Sequence, residues 1–142
     1  MYEYLDRYPP QLDLPARIGH MSLRLWAKDV RSDRCPMMTL RSLFSRFGVS
    51  GALWPVHNFY SWTFAHAARP ITVGCPCCGV VADDEAMLLT AIMAEDSAQI
   101  NACLRSLITE QALARAIPMA RCVGQELRLA QWRDARTPPI IN

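Results

Sequence analysis

Apolar positions recur along most of this chain at helical spacing. Leu14, Ile18, Met21 and Leu25 stand at i, i+4, i+7 and i+11, one stripe of a helix predicted over residues 13–31. Asp13 is placed to cap that helix, and Pro15 fits its first turn. Arg17, Arg24, Lys28 and Arg31 fall off the stripe and are expected in solvent. A second helix over residues 37–47 turns Leu40, Leu43, Phe44 and Phe47 inward, and "FGVSG" breaks the chain after it. The third, over residues 52–67, carries no formal charge and reads as a wholly buried central helix.

The pattern then changes. "ITVG", residues 71–74, is a short β-prone piece, followed by the turn "CPCCG". Asp83, Asp84 and Glu85 crowd the start of a fourth helix, where the N-terminal dipole favours anions and a solvated first turn is the ordinary expectation. Asp96 with Gln99 resembles a capping box for a fifth helix over residues 97–108. Thr109 is placed to cap a sixth, which Pro118 interrupts, and a last helix covers residues 119–133. Residues 1–12 form an arm bearing Tyr2, Tyr4 and Tyr8, and residues 134–142 form a tail. The expected fold is all-α or mainly α. Residues 1–142 make a single-domain bundle of five to seven helices, with one short β segment before the cysteine turn.

Composition narrows the function classes. The 142 residues are 51% hydrophobic and 20% charged, a globular balance with room for a core. A net charge of +2 is too small to point to nucleic acid by itself. The charge is banded, however, and Arg17, Arg24, Lys28 and Arg31 make the first helix a basic candidate face for a partner. One lysine against fourteen arginines suits GC-rich bacterial coding. The opening residues lack the basic and apolar regions of an export signal, so a cytoplasmic location with reduced cysteines is expected. The uncharged stretch from Gly48 to Ala68 holds Pro55, His57, Asn58 and His66, which argue against a membrane span.

The candidate chemistry is in the cysteine turn. Thiolates suit zinc, copper(I) and iron–sulfur clusters. Cys75, Cys77 and Cys78 are too closely spaced to form the two separated pairs of a structural zinc site. An ion held there needs a remote ligand, for which Cys35 beside Pro36 is the best placed; Cys103 sits among Ile100, Leu104 and Leu107 and reads as core. His57 and His66, nine apart on one predicted helix, fall on opposite faces and read as core histidines. The spacing is not the thioredoxin-type C-x-x-C, though Cys77 and Cys78 could act as a thiol pair. The bland alternative is a turn of small, buried, inert cysteines. No G-x-S-x-G, H-E-x-x-H or glycine-rich phosphate loop is present. "LRSLFSRFGVSGALWPVHNFYSW" has a helix-turn-helix rhythm, but its second helix opens on Ala52, Leu53 and Trp54, which cannot read base edges.

The pieces "ARPITV", "CPCC" and "DDEAMLL" resemble an uncharacterised family of small bacterial helical proteins with a Pro-Cys-Cys-Cys type run. The resemblance covers about a third of the chain, from Gly51 to Ala94; Cys77 and Cys78 match, while Cys75 and Pro76 stand transposed. It implies that the cysteine turn is a recurring feature and carries no activity with it. Three expectations follow. The first is a cytoplasmic regulatory or adaptor protein whose turn holds a metal ion, zinc foremost, on Cys75, Cys77 and Cys78, with Cys35 or a histidine completing the shell. The second is a metal-free helical protein acting on a protein partner or as a homodimer, with nucleic acid less favoured. The third is a thiol-redox protein using Cys77 and Cys78. An enzymatic role is the less expected one.

Overall fold

The computed structural model describes residues 12–77 and 79–130. Six α-helices account for most of them: α1 Leu14–Arg31, α2 Met37–Arg46, α3 Leu53–Ala65, α4 Asp83–Met93, α5 Ser97–Leu104 and α6 Glu110–Leu127. A 3₁₀ turn, Ser50–Ala52, leads into α3. The mainly-α bundle expected from periodicity is the fold observed.

Local signals set several helix ends. Asp13 Oδ1 accepts from the Ala16 N–H at 3.1 Å, and Asp96 Oδ1 accepts from the Gln99 N–H at 2.8 Å. The fifth helix stops at Leu104, earlier than predicted. The sixth is not interrupted: α6 passes straight through Pro118. Pro118 and Ala114, whose carbonyl it leaves without a helical donor, are both exposed, so water can satisfy that oxygen.

α1 and α6 are the long supports, each about 27 Å by the helical rise. α6 packs on α3, α4 and α5, while α1 packs on α2, α4 and α6. Phe44, Val56, Phe59, Tyr60, Leu88, Ile92, Leu104 and Ala116 lie buried between these faces. A smaller apolar group, Leu12, Ala16, Val81, Ala86 and Leu89, fastens the start of α4 to α1. A close approach occurs at Gly124 of α6, where an added Cβ would run into the backbone carbonyl of Ile92 on α4.

Two expectations change. α3 is not buried all round: Leu53, Val56, Phe59, Tyr60 and Thr63 face the core, while Trp54 and Asn58 are exposed. Its lack of charge reflects aromatic packing on one face, not enclosure. Residues 71–74 form no strand. Their backbone groups go to side chains instead, with the Thr72 N–H donating to Asp84 Oδ2 at 2.8 Å and the Val73 carbonyl accepting from Arg31 Nη1 at 3.2 Å. The β-bridge among the described residues joins Ala67 and Ile108. The N-terminal arm up to residue 11 and the tail 134–142 lie outside the described residues.

Candidate functional site: an arginine-held cysteine loop

The segment from Val73 to Val81 crosses the bundle between α3 and α4, and both end valines are buried. Between them the chain bows outward, with Cys75, Pro76 and Cys77 exposed. What fixes the bow is Arg24, nearly three turns into α1. Its guanidinium donates from Nη1 to the Cys75 carbonyl at 3.1 Å and from Nη2 to the Val80 carbonyl at 2.6 Å. One side chain therefore ties both shoulders of the loop. Arg31 repeats the device two residues earlier, at the Val73 carbonyl.

Arg24 is itself held by Glu85. Nε to Oε2 is 2.7 Å and Nη2 to Oε1 is 3.0 Å, a two-pronged pair in which both side chains are buried. Glu85 stands at the third position of α4, where Oε1 also accepts from the Ala82 N–H at 3.0 Å. His20, one turn before Arg24 on α1, completes the shell, its Nε2 lying 3.1 Å from Glu85 Oε2. An ionised carboxylate only accepts, so that nitrogen carries the hydrogen. Burial alone would push the Glu85 carboxyl up. The bonds from His20, Arg24 and Ala82 and the charge of His20 outweigh it and hold the group at about 2.

Two expectations are corrected by this cluster. Arg24 is 2% exposed, so it is an internal tie and not part of a solvated basic face. The start of α4 is not simply solvated: Glu85 is buried, and Asp84 is paired with Arg69 at 2.8 Å. The Arg69 guanidinium, ahead of other causes, holds the Asp84 carboxyl below its ordinary range. Of the other basic residues named, Lys28 and Arg31 are exposed, and Arg17 is half-buried. Sequence reasoning did not find the cluster, since Arg24 and Glu85 are 61 positions apart. The one trace was a glutamate three residues after a helix start, a capping-box half without its serine.

The cysteines are distributed as follows. Cys75 Sγ and Cys77 Sγ lie 2.8 Å apart on the exposed loop. Cys78 lies outside the described residues. Cys35 is exposed in the α1–α2 connection, Cys122 is exposed on α6, and Cys103 is buried in the core as expected. Burial raises the Cys103 thiol above its ordinary value. Among the described residues no three His, Cys, Asp or Glu side chains converge as a metal-ligand group, so Cys35 completes no such set with Cys75 and Cys77. His57 accepts from the Trp26 indole N–H at 3.1 Å, and His66 packs on Trp62 with ring centroids 4.0 Å apart. Burial lowers the His57 pKa.

A groove of about 370 Å³ runs beside the two thiols. Lys28, Arg31 and Ser32, at the end of α1, form one wall; Gly74, Cys75, Pro76 and Cys77 form the other. Space is tight at Gly74, where a Cβ would stand 3.0 Å from Arg24 Nη2 and 3.2 Å from its Cζ, so the guanidinium would have to give way.

No described helix is long and apolar enough to cross a membrane. No family model, curated protein or solved structure matches the chain.

Proposed function

We propose that the protein is a thiol–disulfide regulatory protein in which Cys75 and Cys77 cycle between two thiols and an intraloop disulfide. The observation that carries this reading is the 2.8 Å Sγ–Sγ approach on an exposed loop whose ends are tied by a buried arginine. Closing that gap to a disulfide bond requires roughly 0.8 Å of movement. The Cys75 side chain and Cys77 can make that movement while the Cys75 and Val80 carbonyls stay tied, so the helices need not shift. The proposal places the protein in a reducing compartment such as the cytoplasm, where such a pair rests as two thiols.

The exchange balances without a metal. One thiolate attacks a sulfur of an external disulfide, forming a mixed disulfide and expelling one thiolate. The second cysteine then attacks the first, forming the Cys75–Cys77 bond and expelling the other thiolate. Two protons pass to solvent or to the released thiols, and the external disulfide is reduced by two electrons.

Zinc on Cys75, Cys77, Cys78 and Cys35 has less support. Two thiolates around a tetrahedral zinc ion, each at about 2.3 Å, stand roughly 3.8 Å apart. The observed gap is well inside that, and among the described residues Cys35 joins no ligand group.

The test is thiol titration of the purified protein before and after oxidation with a neutral disulfide, with metal content measured on the same sample. A reversible loss of two thiols, abolished by Cys75→Ser or Cys77→Ser and kept in Cys78→Ser, is the expected result. A two-thiol change that follows Cys78 would move the pair to Cys77 and Cys78. Stoichiometric zinc lost with Cys75→Ser would replace the redox reading with the metal one.

A further inference from the structure

We infer that the groove beside the thiols selects negatively charged small disulfides and thiols, with Lys28 and Arg31 as the residues that recognise their carboxylates. The inference rests on the redox reading above and adds to it the substrate class.

The two walls of the groove divide the work. The loop wall supplies the reacting sulfurs at Cys75 and Cys77. The helix wall supplies cations at Lys28 and Arg31, both exposed and both in the last turn of α1. Arg31 is anchored by its bond to the Val73 carbonyl, so its guanidinium is held against the rim instead of sweeping through solvent. Lys28 is a mobile point charge on a flexible stem. At about 370 Å³ the groove suits a small organic molecule and not a folded partner. Aliphatic stems of Lys28 and Arg31, with Pro76 opposite, cover the apolar part of a ligand, while the heads meet its anionic ends. The pairing of sulfur and cation across one narrow groove is the reason to expect a carboxylate-bearing disulfide.

Electrostatic steering of this kind acts on association rate and fades with salt. The experiment is the rate of oxidation of the reduced full chain by three probes: oxidised glutathione as the anionic disulfide, hydroxyethyl disulfide as the neutral one and cystamine as the cationic one. At low ionic strength the anionic probe is expected to react about tenfold faster than the cationic one after correction for their intrinsic reactivities toward a free thiol. That ratio should fall toward unity at high salt, and also in Lys28→Gln with Arg31→Gln. Because Arg31 also holds Val73, Lys28→Gln alone should lower the ratio with the thermal midpoint unchanged. Oxidation by all three probes with no charge preference, or a preference untouched by these substitutions, overturns the substrate class and leaves the dithiol intact. Failure of every probe to oxidise the pair overturns the dithiol itself.

Discussion

The Arg24 guanidinium and the Glu85 carboxylate meet edge to edge in the interior, joined at 2.7 Å and 3.0 Å, with neither side chain reaching solvent. The pair links α1 to α4, and the bonds of Arg24 to the Cys75 and Val80 carbonyls place the cysteine loop. It is therefore a positioning device as much as a stabilising one.

Removing one partner leaves a buried charge. Arg24→Met or Glu85→Leu alone is expected to cost about 3–5 kcal/mol. The double variant should cost clearly less than the sum of the two. Chemical denaturation of the four proteins gives the coupling. Limited proteolysis gives a second reading, because both Arg24 variants should be cut faster between residues 74 and 80. Additive losses with an unchanged cleavage pattern would contradict the role assigned to Arg24.

Acid should unfold the protein through Glu85. Its folded pKa of about 2 lies below its ordinary 4.5, so the folded state favours the ionised form. The contribution is complete above about pH 4.5 and is lost as pH falls toward 2, by about 3 kcal/mol in all. His57 acts in a separate window. Its lowered pKa means that the unfolded chain takes up a proton first, so stability begins to fall as pH drops through 6.5. Denaturation midpoints from pH 7 to 3 should show both declines. Glu85→Gln should flatten the lower one and leave the upper one.

Gly74→Ala tests the loop contact without touching a charge. The new Cβ would press on a guanidinium already fixed by Glu85 and two carbonyls. A loss of about 1–2 kcal/mol is expected, with faster proteolysis of the loop. Wild-type stability and cleavage in this variant would show that Arg24 has room to give.

At Gly124 the obstacle is backbone. Alanine gains about 1 kcal/mol in helix propensity over glycine, yet its Cβ would meet the Ile92 carbonyl. α4 and α6 must separate, and a net fall in thermal midpoint of roughly 5 °C or more is expected in a calorimetric scan. An unchanged or raised midpoint would refute the close crossing.

The helices were legible because their signals are short-range. The stripe from Leu14, the caps at Asp13 and Asp96 and the break at "FGVSG" each act over a few residues, and the bundle follows from them. So did the burial of Cys103, whose neighbours at helical spacing are apolar. The interior cluster obeyed no local pattern. Periodicity assigned Arg24 to water because it falls off the stripe of Leu14, Ile18, Met21 and Leu25, and no local window of sequence contains both Arg24 and Glu85. Only when α1 and α4 pack does a buried cation find a carboxylate, two carbonyls and the space left by Gly74. Pro118 makes the same point in reverse. The local rule breaks a helix there, but packed residues on the inner face hold α6 together while the oxygen deprived of its donor turns to solvent. The residue types and helix limits of this protein come from nearest neighbours along the chain. The position of the cysteine loop against α1 comes from contacts that form only when helices distant in sequence are brought together.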